Sequence, residues 1–135
     1  MGGMIQANPV RTLIETVKTH RDPRGAVFEP LNDADLVQQK NVHVVLTVPN
    51  EVRGNHFHHA ATEMTTVVGP CLVRLKEADG IRDVQVPAGA TWRFTIPPGV
   101  AHAFRNTGDE IMVLVSFSTR VHDPAGSDTL REQIL

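Results

Sequence analysis

The residues best equipped for chemistry are bunched. One stretch runs Arg53, Gly54, Asn55, His56, Phe57, His58, His59 and then Glu63, and a second holds Pro97, Gly99, His102 and Asn106. On an extended strand residues two apart share a face, so His56 and His58 project together while Phe57 and His59 point the other way. Glu63 opens the next strand after a short turn, and His102 opens a later one. Three imidazoles and a carboxylate inside a small barrel make a mixed nitrogen and oxygen donor set, suited to Zn, Fe, Mn, Ni or Cu rather than to Mg or Ca. Burying four ionisable groups together is costly unless a metal or a substrate satisfies them. That cost sets His56, His58, Glu63 and His102 apart from the other histidines. His20, His43 and His122, taken singly, read as satisfied or solvent-facing, and His59 as a surface residue. Cys71, behind Pro70, reads as a small core side chain.

The elements that must position these groups follow from punctuation. Nine prolines and ten glycines fall at short intervals between apolar stretches, and no segment keeps a helical period for three turns. The pattern is all-β, with strands predicted over residues 13–18, 26–29, 42–48, 55–58, 62–68, 72–77, 82–86, 91–96, 102–105 and 111–118. Turns are predicted at 22–25, 49–54, 69–70, 78–80, 87–89, 97–99 and 106–109. This suits a two-sheet jelly roll, whose Greek-key wrapping shortens exposed edges, although an immunoglobulin-like sandwich would use the same signals. Alternation over residues 42–48 assigns Val42, Val44, Leu46 and Val48 to the core. Trp92, Phe94 and Ile96 alternate in the same way and also read as core. The one plausible helix, residues 32–39, opens with Asn32 as a cap and spans about two turns. From Val121 the chain turns polar and is expected to pack as a tail on the barrel or on a partner.

With 135 residues, 41% of them apolar, the expectation is a single domain, residues 1–135, with a barrel core at about 40–118 and short N- and C-terminal extensions. Thirteen basic against fifteen acidic residues give a net charge of -2 with no run of like charges, which argues against a nucleic-acid binder. One cysteine cannot form an intrachain disulfide, and residues 1–11 have no apolar core for a signal or a membrane span. A cytoplasmic protein without membrane association is therefore expected. Gly2 begins like a myristoylation signal, but Gln6 stands where Ser or Thr is required. There is no tyrosine, which removes one common general acid.

At these residues the chain resembles the cupin superfamily, whose two motifs read G-x5-H-x-H-x3–4-E-x6-G and P-x-G-x2-H-x3-N. His56, His58 and Glu63 fit the first motif, and Pro97, Gly99, His102 and Asn106 the second. The pattern's turn glycines are not all present: Pro70 stands where the first motif ends in glycine, and Thr91 stands six residues before Pro97, where the family also carries one. The resemblance implies a cupin double-stranded β-helix, a jelly-roll barrel, with a divalent transition metal (Zn, Fe, Mn or Ni) on His56, His58, Glu63 and His102 and no nucleotide cofactor. The run Asp22, Pro23, Arg24, Gly25 with Phe28 and Glu29 is similar to the D-x-R-G-x-x-F-E segment of dTDP-4-dehydrorhamnose 3,5-epimerases. There it helps hold the nucleotide, often across a dimer interface. Arg53 to His58 is similar to the R-G-x-H-x-H of sugar-nucleotide 3,4-ketoisomerases. From about residue 12 to 130 the chain looks most like the C-terminal cupin domain of bifunctional capsular-polysaccharide epimerase/reductases, although no Gly-rich phosphate fingerprint for a reductase is present.

What the resemblance implies is a metal-assisted epimerase or ketoisomerase acting on a nucleotide-linked 4-keto hexose in surface-polysaccharide sugar biosynthesis. It would be a homodimer, with His56 and His58 catalytic and Arg24, Glu29 and Arg53 binding the substrate, a role suited to guanidinium forks. Two alternatives use the same donor set: a small metal-dependent dioxygenase, and a non-catalytic ligand-binding cupin. Arg24, Glu29 and Arg53 favour the sugar-nucleotide reading, since neither alternative needs a phosphate clamp.

Overall fold

The computed structural model describes residues 10–135, so Gly2 and Gln6 lie outside the described residues. In chain order the elements are β1 (Leu13–Thr16), β2 (Thr19–Asp22), β3 (Gly25–Phe28), α1 (Asp33–Leu36), β4 (Asn41–Thr47), β5 (Val52–His58) and β6 (Glu63–Val68). They continue with β7 (Cys71–Glu77), β8 (Gly80–Val86), β9 (Thr91–Ile96), β10 (Ala101–Asn106), β11 (Met112–Ser118) and β12 (Thr129–Arg131). Two five-stranded antiparallel sheets, β1-β9-β6-β11-β4 and β12-β5-β10-β7-β8, face each other, and β2-β3 forms a separate hairpin. This is the jelly roll that the cupin motifs imply. No helix among the described residues is long and apolar enough to cross a membrane.

One end of the space between the sheets is apolar. Val67, Val73, Val86, Phe94, Phe104 and Leu114 fill it, with Phe94 and Phe104 edge to face at 5.8 Å between ring centres, a favoured aromatic geometry. The outer face of the first sheet is covered by the chain between β3 and β4, where Leu31 packs with Met64 and Phe117. Pro30 O accepts from Thr66 Oγ1 at 2.9 Å and from Arg93 Nη1 at 3.1 Å.

Three sequence expectations need correction. The first concerns β4. Val42, Val44, Leu46 and Val48 are 52–61% exposed, and it is Asn41, His43, Val45 and Thr47 that face inward. Alternation separates the two faces of a strand but does not say which is inside. At this edge strand the inner face lines a polar cavity, so the apolar face is the outer one. The second concerns the helix, which is a single turn. Asn32 caps it as expected, its Oδ1 accepting from Asp35 N at 2.8 Å, but no residue of the turn is buried, and short helices persist only through tertiary packing. The third is that two strands were not foreseen. β2 pairs with β3 about the expected turn at Asp22 and Gly25. β12 belongs to the polar tail, which packs on the barrel as expected by adding a strand beside β5.

Candidate metal centre and active site

The other end of the barrel is polar, and strand pairing explains why. His56 on β5 stands opposite His102 on β10. On the facing sheet three strands put polar side chains in register, with Glu63 across from Ser118 and Ser118 across from Asn41 in one row, and Thr65, Ser116 and His43 in the next. The ligand atoms of His56, His58, Glu63 and His102 all lie within 4.8 Å of one another. The ring centres are 5.1 Å apart for His56 and His58, 4.7 Å for His56 and His102, and 5.6 Å for His58 and His102.

Arg53 reaches the same cavity through a bulge. Simple alternation would turn Arg53 away from His56, but the β5–β10 register passes from the pair His56 and His102 to the pair Gly54 and Ala103, leaving Asn55 as the extra residue. Gly54 and Asn55 both have positive φ, 96° and 55°, and a bulge of this kind re-aims the side chains on either side of it. The displaced Asn55 is used elsewhere, its Oδ1 accepting from Ile134 N and Leu135 N at 2.9 and 3.1 Å. The Arg53 guanidinium makes one long hydrogen bond, from Nη2 to Leu46 O at 3.4 Å.

Glu63 is nearly inaccessible, and its carboxylate is fully engaged. Oε1 accepts from Ser116 Oγ at 2.7 Å and Thr65 Oγ1 at 3.0 Å, and Oε2 accepts from His58 Nε2. Burial alone would raise its pKa. The His58 hydrogen bond and the nearby His102 outweigh burial and hold the carboxyl well below the usual range. Burial likewise works against the charged form of His58, but the Glu63 hydrogen bond and charge raise its pKa overall. His56 has no such partner, and burial, with His102 adding to it, lowers its pKa to about 4. It is a neutral imidazole at physiological pH.

His102 carries the test of whether a metal suits these residues. Its Nδ1–H donates to Val100 O at 2.9 Å, which in the neutral ring, the form burial favours, leaves a lone pair on Nε2. That Nε2 is buried without a hydrogen-bond partner and lies 3.7 Å from Glu63 Oε1. Two acceptors facing each other at that distance repel unless a cation lies between them. A ring fixed through its other nitrogen to a carbonyl is also the usual arrangement of a metal-ligating histidine. The four residues therefore fit a divalent transition ion.

Two connected cavities give access. The inner one, about 250 Å³, is lined by Arg53, His56, Glu63, His102, Phe104 and Ser116 among others. The outer one, about 470 Å³, runs from His56, His58 and Glu63 to Arg120, His122 and Asp128 at the mouth. His43, His56 and Glu63 line both. Asp128 ties the mouth together by accepting from Ala60 N at 3.0 Å and Ala61 N at 2.8 Å, and Thr129 Oγ1 sits 3.2 Å from His58 Nδ1.

Of the residues singled out in the sequence, His56, His58, Glu63, His102 and Arg53 thus come together. Arg24 and Glu29 do not join them within one chain. Arg24 is paired with Asp22 at 2.6 Å, its side chain 90% exposed, in a cleft of the β2-β3 hairpin. Glu29 lines a separate cleft with Lys18 and Arg93. His59 is exposed, and Cys71 is buried, as expected. Sequence reasoning missed the cavity positions of His43, Ser116, Thr65, Arg120 and His122. The alternation on β4 held the signal for His43, had its polar face been taken as the inner one.

Comparison with known proteins bears on the family and the fold. The polysaccharide biosynthesis C-terminal domain family matches residues 20–130. Over 116 residues the chain is 28% identical to UDP-2-acetamido-2,6-beta-L-arabino-hexul-4-ose reductase of Pseudomonas aeruginosa, covering 84% of this chain and 30% of that protein. The capsular polysaccharide assembling protein CapF from Staphylococcus aureus superposes with a TM-score of 0.65 at 26% identity, over 89% of this chain and 33% of CapF. This chain therefore spans about a third of the length of these two relatives. QdtA, a sugar 3,4-ketoisomerase from Thermoanaerobacterium thermosaccharolyticum, has been solved with TDP. It superposes with a TM-score of 0.69 at 19% identity over 90% of this chain and 88% of its own, a likeness of fold.

Proposed function

Because the chain belongs to the polysaccharide biosynthesis C-terminal domain family, we propose that it moves protons on a nucleotide-linked 4-keto hexose. The reaction is epimerisation beside the ketone or ketoisomerisation, in the synthesis of surface-polysaccharide sugars. The observation that carries this reading is the His56, His58, Glu63 and His102 cluster at the floor of a cavity that opens past Arg53, Arg120 and His122. Its apolar wall and convergent polar groups are typical of small-molecule sites. The relatives' names support the substrate class: one is a reductase of a UDP-linked hexul-4-ose, and QdtA has been solved with TDP-4-keto-6-deoxyglucose.

His56, His58, Glu63 and His102 would hold the metal. When bound, a divalent transition ion supplies Lewis-acid polarisation of the ketone. If no metal engages it, His56, neutral because it is buried, becomes the base that takes the proton next to the carbonyl. The negative charge that forms on the sugar then favours the imidazolium it becomes. His58, held by Glu63 on one side and Thr129 on the other, would have to release one of these bonds to donate toward the oxygen where that charge collects. Arg53 is loosely bonded and faces the same space, so its guanidinium can turn to a phosphate or sugar oxygen.

The same reading includes a homodimer. Edge strand β4 offers unpaired backbone and the exposed side chains of Val42, Val44 and Leu46, a surface that pairing with a second copy would cover. Arg24 and Glu29, which miss the cavity of their own chain, would serve that of the partner.

Thermal-shift titration with UDP- and dTDP-linked 4-keto-6-deoxyhexoses, together with metal analysis of protein purified without a metal-affinity column, tests the proposal. We expect stabilisation by one of the two sugars and a transition metal in stoichiometric amount. Protein that ignores both sugars but takes up O2 with another substrate would make the barrel a dioxygenase.

A further inference from the structure

We propose that Thr129 is a positioning residue of the metal centre, orienting His58 through Nδ1, and that it is carried there by a strap, residues 128–135, which Asp128 and Asn55 fasten to β5. The inference rests on the proposed metal reading and adds to it the means by which one of the four ligands is aimed.

Strand register places the hydroxyl. β12 lies beside β5 with Thr129 directly across from His58, Leu130 across from Phe57 and Arg131 across from His56. Residues directly opposite in an antiparallel pair put their side chains on the same face. Thr129 Oγ1 accordingly sits 3.2 Å from His58 Nδ1, and it is the one polar partner of that nitrogen among the described residues. The other ring nitrogen, Nε2, meets Glu63, so Nε2 faces the cluster and Nδ1 faces the strap.

A neutral imidazole whose Nε2 is given to a cation keeps its proton on Nδ1, and the group that accepts this proton fixes the ring. His102 has the same division, with Nδ1–H on Val100 O and Nε2 left for the cluster. The two holders differ in origin. Val100 is two residues from His102, whereas Thr129 lies 71 residues beyond His58 and has to be brought back to it.

The strap does this because both of its ends are tied. At the near end Asp128 O accepts from His59 N at 2.9 Å, and the Asp128 carboxylate accepts from Ala60 N and Ala61 N. At the far end Asn55 O accepts from Glu132 N at 2.9 Å, and Asn55 Oδ1 takes Ile134 N and Leu135 N. Arg74 Nη1 adds a bond to Ile134 O at 3.0 Å, and Lys76 pairs with Glu132 at 2.9 Å. Three exposed residues of strand would fray if left to themselves. Fastened on either side, they hold Thr129 against His58. The extra residue of the β5 bulge is thus the strap's far anchor.

Two substitutions at this exposed position separate the hydroxyl from the shape. Thr129→Val keeps the branched side chain and deletes the hydroxyl, and Thr129→Ser does the reverse. The probe is Zn(II) in competition with a chromophoric chelator, because a nitrogen and oxygen site that holds Mn or Fe holds Zn more tightly. Thr129→Val should bind Zn(II) about tenfold more weakly than wild type, Thr129→Ser should match wild type, and the metal-free Tm of both should be unchanged. Asn55→Gly tolerates the positive φ and frees the far anchor. It should weaken binding in the same direction and, acting through Thr129, add little to Thr129→Val in the double variant. Wild-type affinity in Thr129→Val, or a loss in Thr129→Ser as large as in Thr129→Val, would overturn the inference while leaving the metal reading in place. So would a loss in Thr129→Val matched by a fall in metal-free Tm, or additive losses in the double variant. Wild-type protein that takes up no Zn(II) would overturn the inference and the metal reading together.

Discussion

Gly54 lies against the backbone of His102 so closely that a side chain at position 54 would have nowhere to go. A Cβ there would sit 2.6 Å from the His102 carbonyl oxygen and 3.2 Å from Ala103 Cα. This contact is the physical content of the Arg-Gly-Asn-His run: the glycine lets β5 press onto β10 at the bulge, and the bulge turns Arg53 and His56 into one cavity.

Gly54→Ala should accordingly do more damage than its size suggests. The added methyl meets backbone on a strand whose φ at that position is already 96°, so β5 must move away from His102. A cost of about 2 kcal/mol is expected, lowering Tm by roughly 5–10 °C. The spacing between His56 and His102 should open, with metal occupancy falling as it does. Differential scanning calorimetry and metal analysis on the same sample check both effects.

Ser116→Ala removes a 2.7 Å hydrogen bond to Glu63 without touching any of the four candidate ligands. Groups that orient a ligating carboxylate are worth about tenfold or more in metal affinity. A drop of that order in a competition titration is expected, with Tm of the metal-free protein changing little because Thr65 still donates to the same oxygen. His59→Ala, an exposed position, should leave the affinity unchanged.

Cys71 should be inert in the folded protein. It is fully buried, and burial pushes its thiol up to about 12, so the nucleophilic thiolate is scarce at any working pH. Labelling by a disulfide reagent at pH 8 should follow global unfolding and show no fast phase. The sign of the linkage is also defined. The unfolded thiol ionises near 9.0 while the folded one holds its proton to about 12, so this group's contribution to stability is complete below pH 9 and is lost as pH rises between those values.

Leu46→Glu places a charge in the middle of the exposed apolar face of β4, where no inward contact is disturbed. If two copies meet there, the variant should be monomeric by light scattering at micromolar concentration while keeping the wild-type Tm of a dilute sample. A dimer that survives the substitution would move the interface elsewhere.

The four-residue cluster was legible in the sequence because a strand has a period of two. His56 and His58 must share a face, and the turns after them leave little choice of where Glu63 and His102 begin their strands. The surroundings were harder to read. His43 looked like a surface residue because the valines beside it suggested a buried face, and only strand order shows that β4 is an edge whose inner side borders a polar cavity. Arg53 was identified by resemblance, not by alternation, since a bulge breaks the period between it and His56. Arg24 and Glu29 were marked by a motif, and a motif carries no information about which chain's cavity it serves. Arg120, His122 and Asp128 belong to a tail whose polar composition predicted packing but not its place over the mouth.

The account turns on whether the protein moves a proton on a keto sugar. The most direct measurement is the NMR spectrum of a UDP- or dTDP-linked 4-keto-6-deoxyhexose incubated with wild-type protein in D2O. Deuterium should appear on the carbon next to the ketone, and His56→Gln should abolish the exchange while still binding the nucleotide sugar. No deuterium from wild-type protein with either sugar at millimolar concentration would contradict the account.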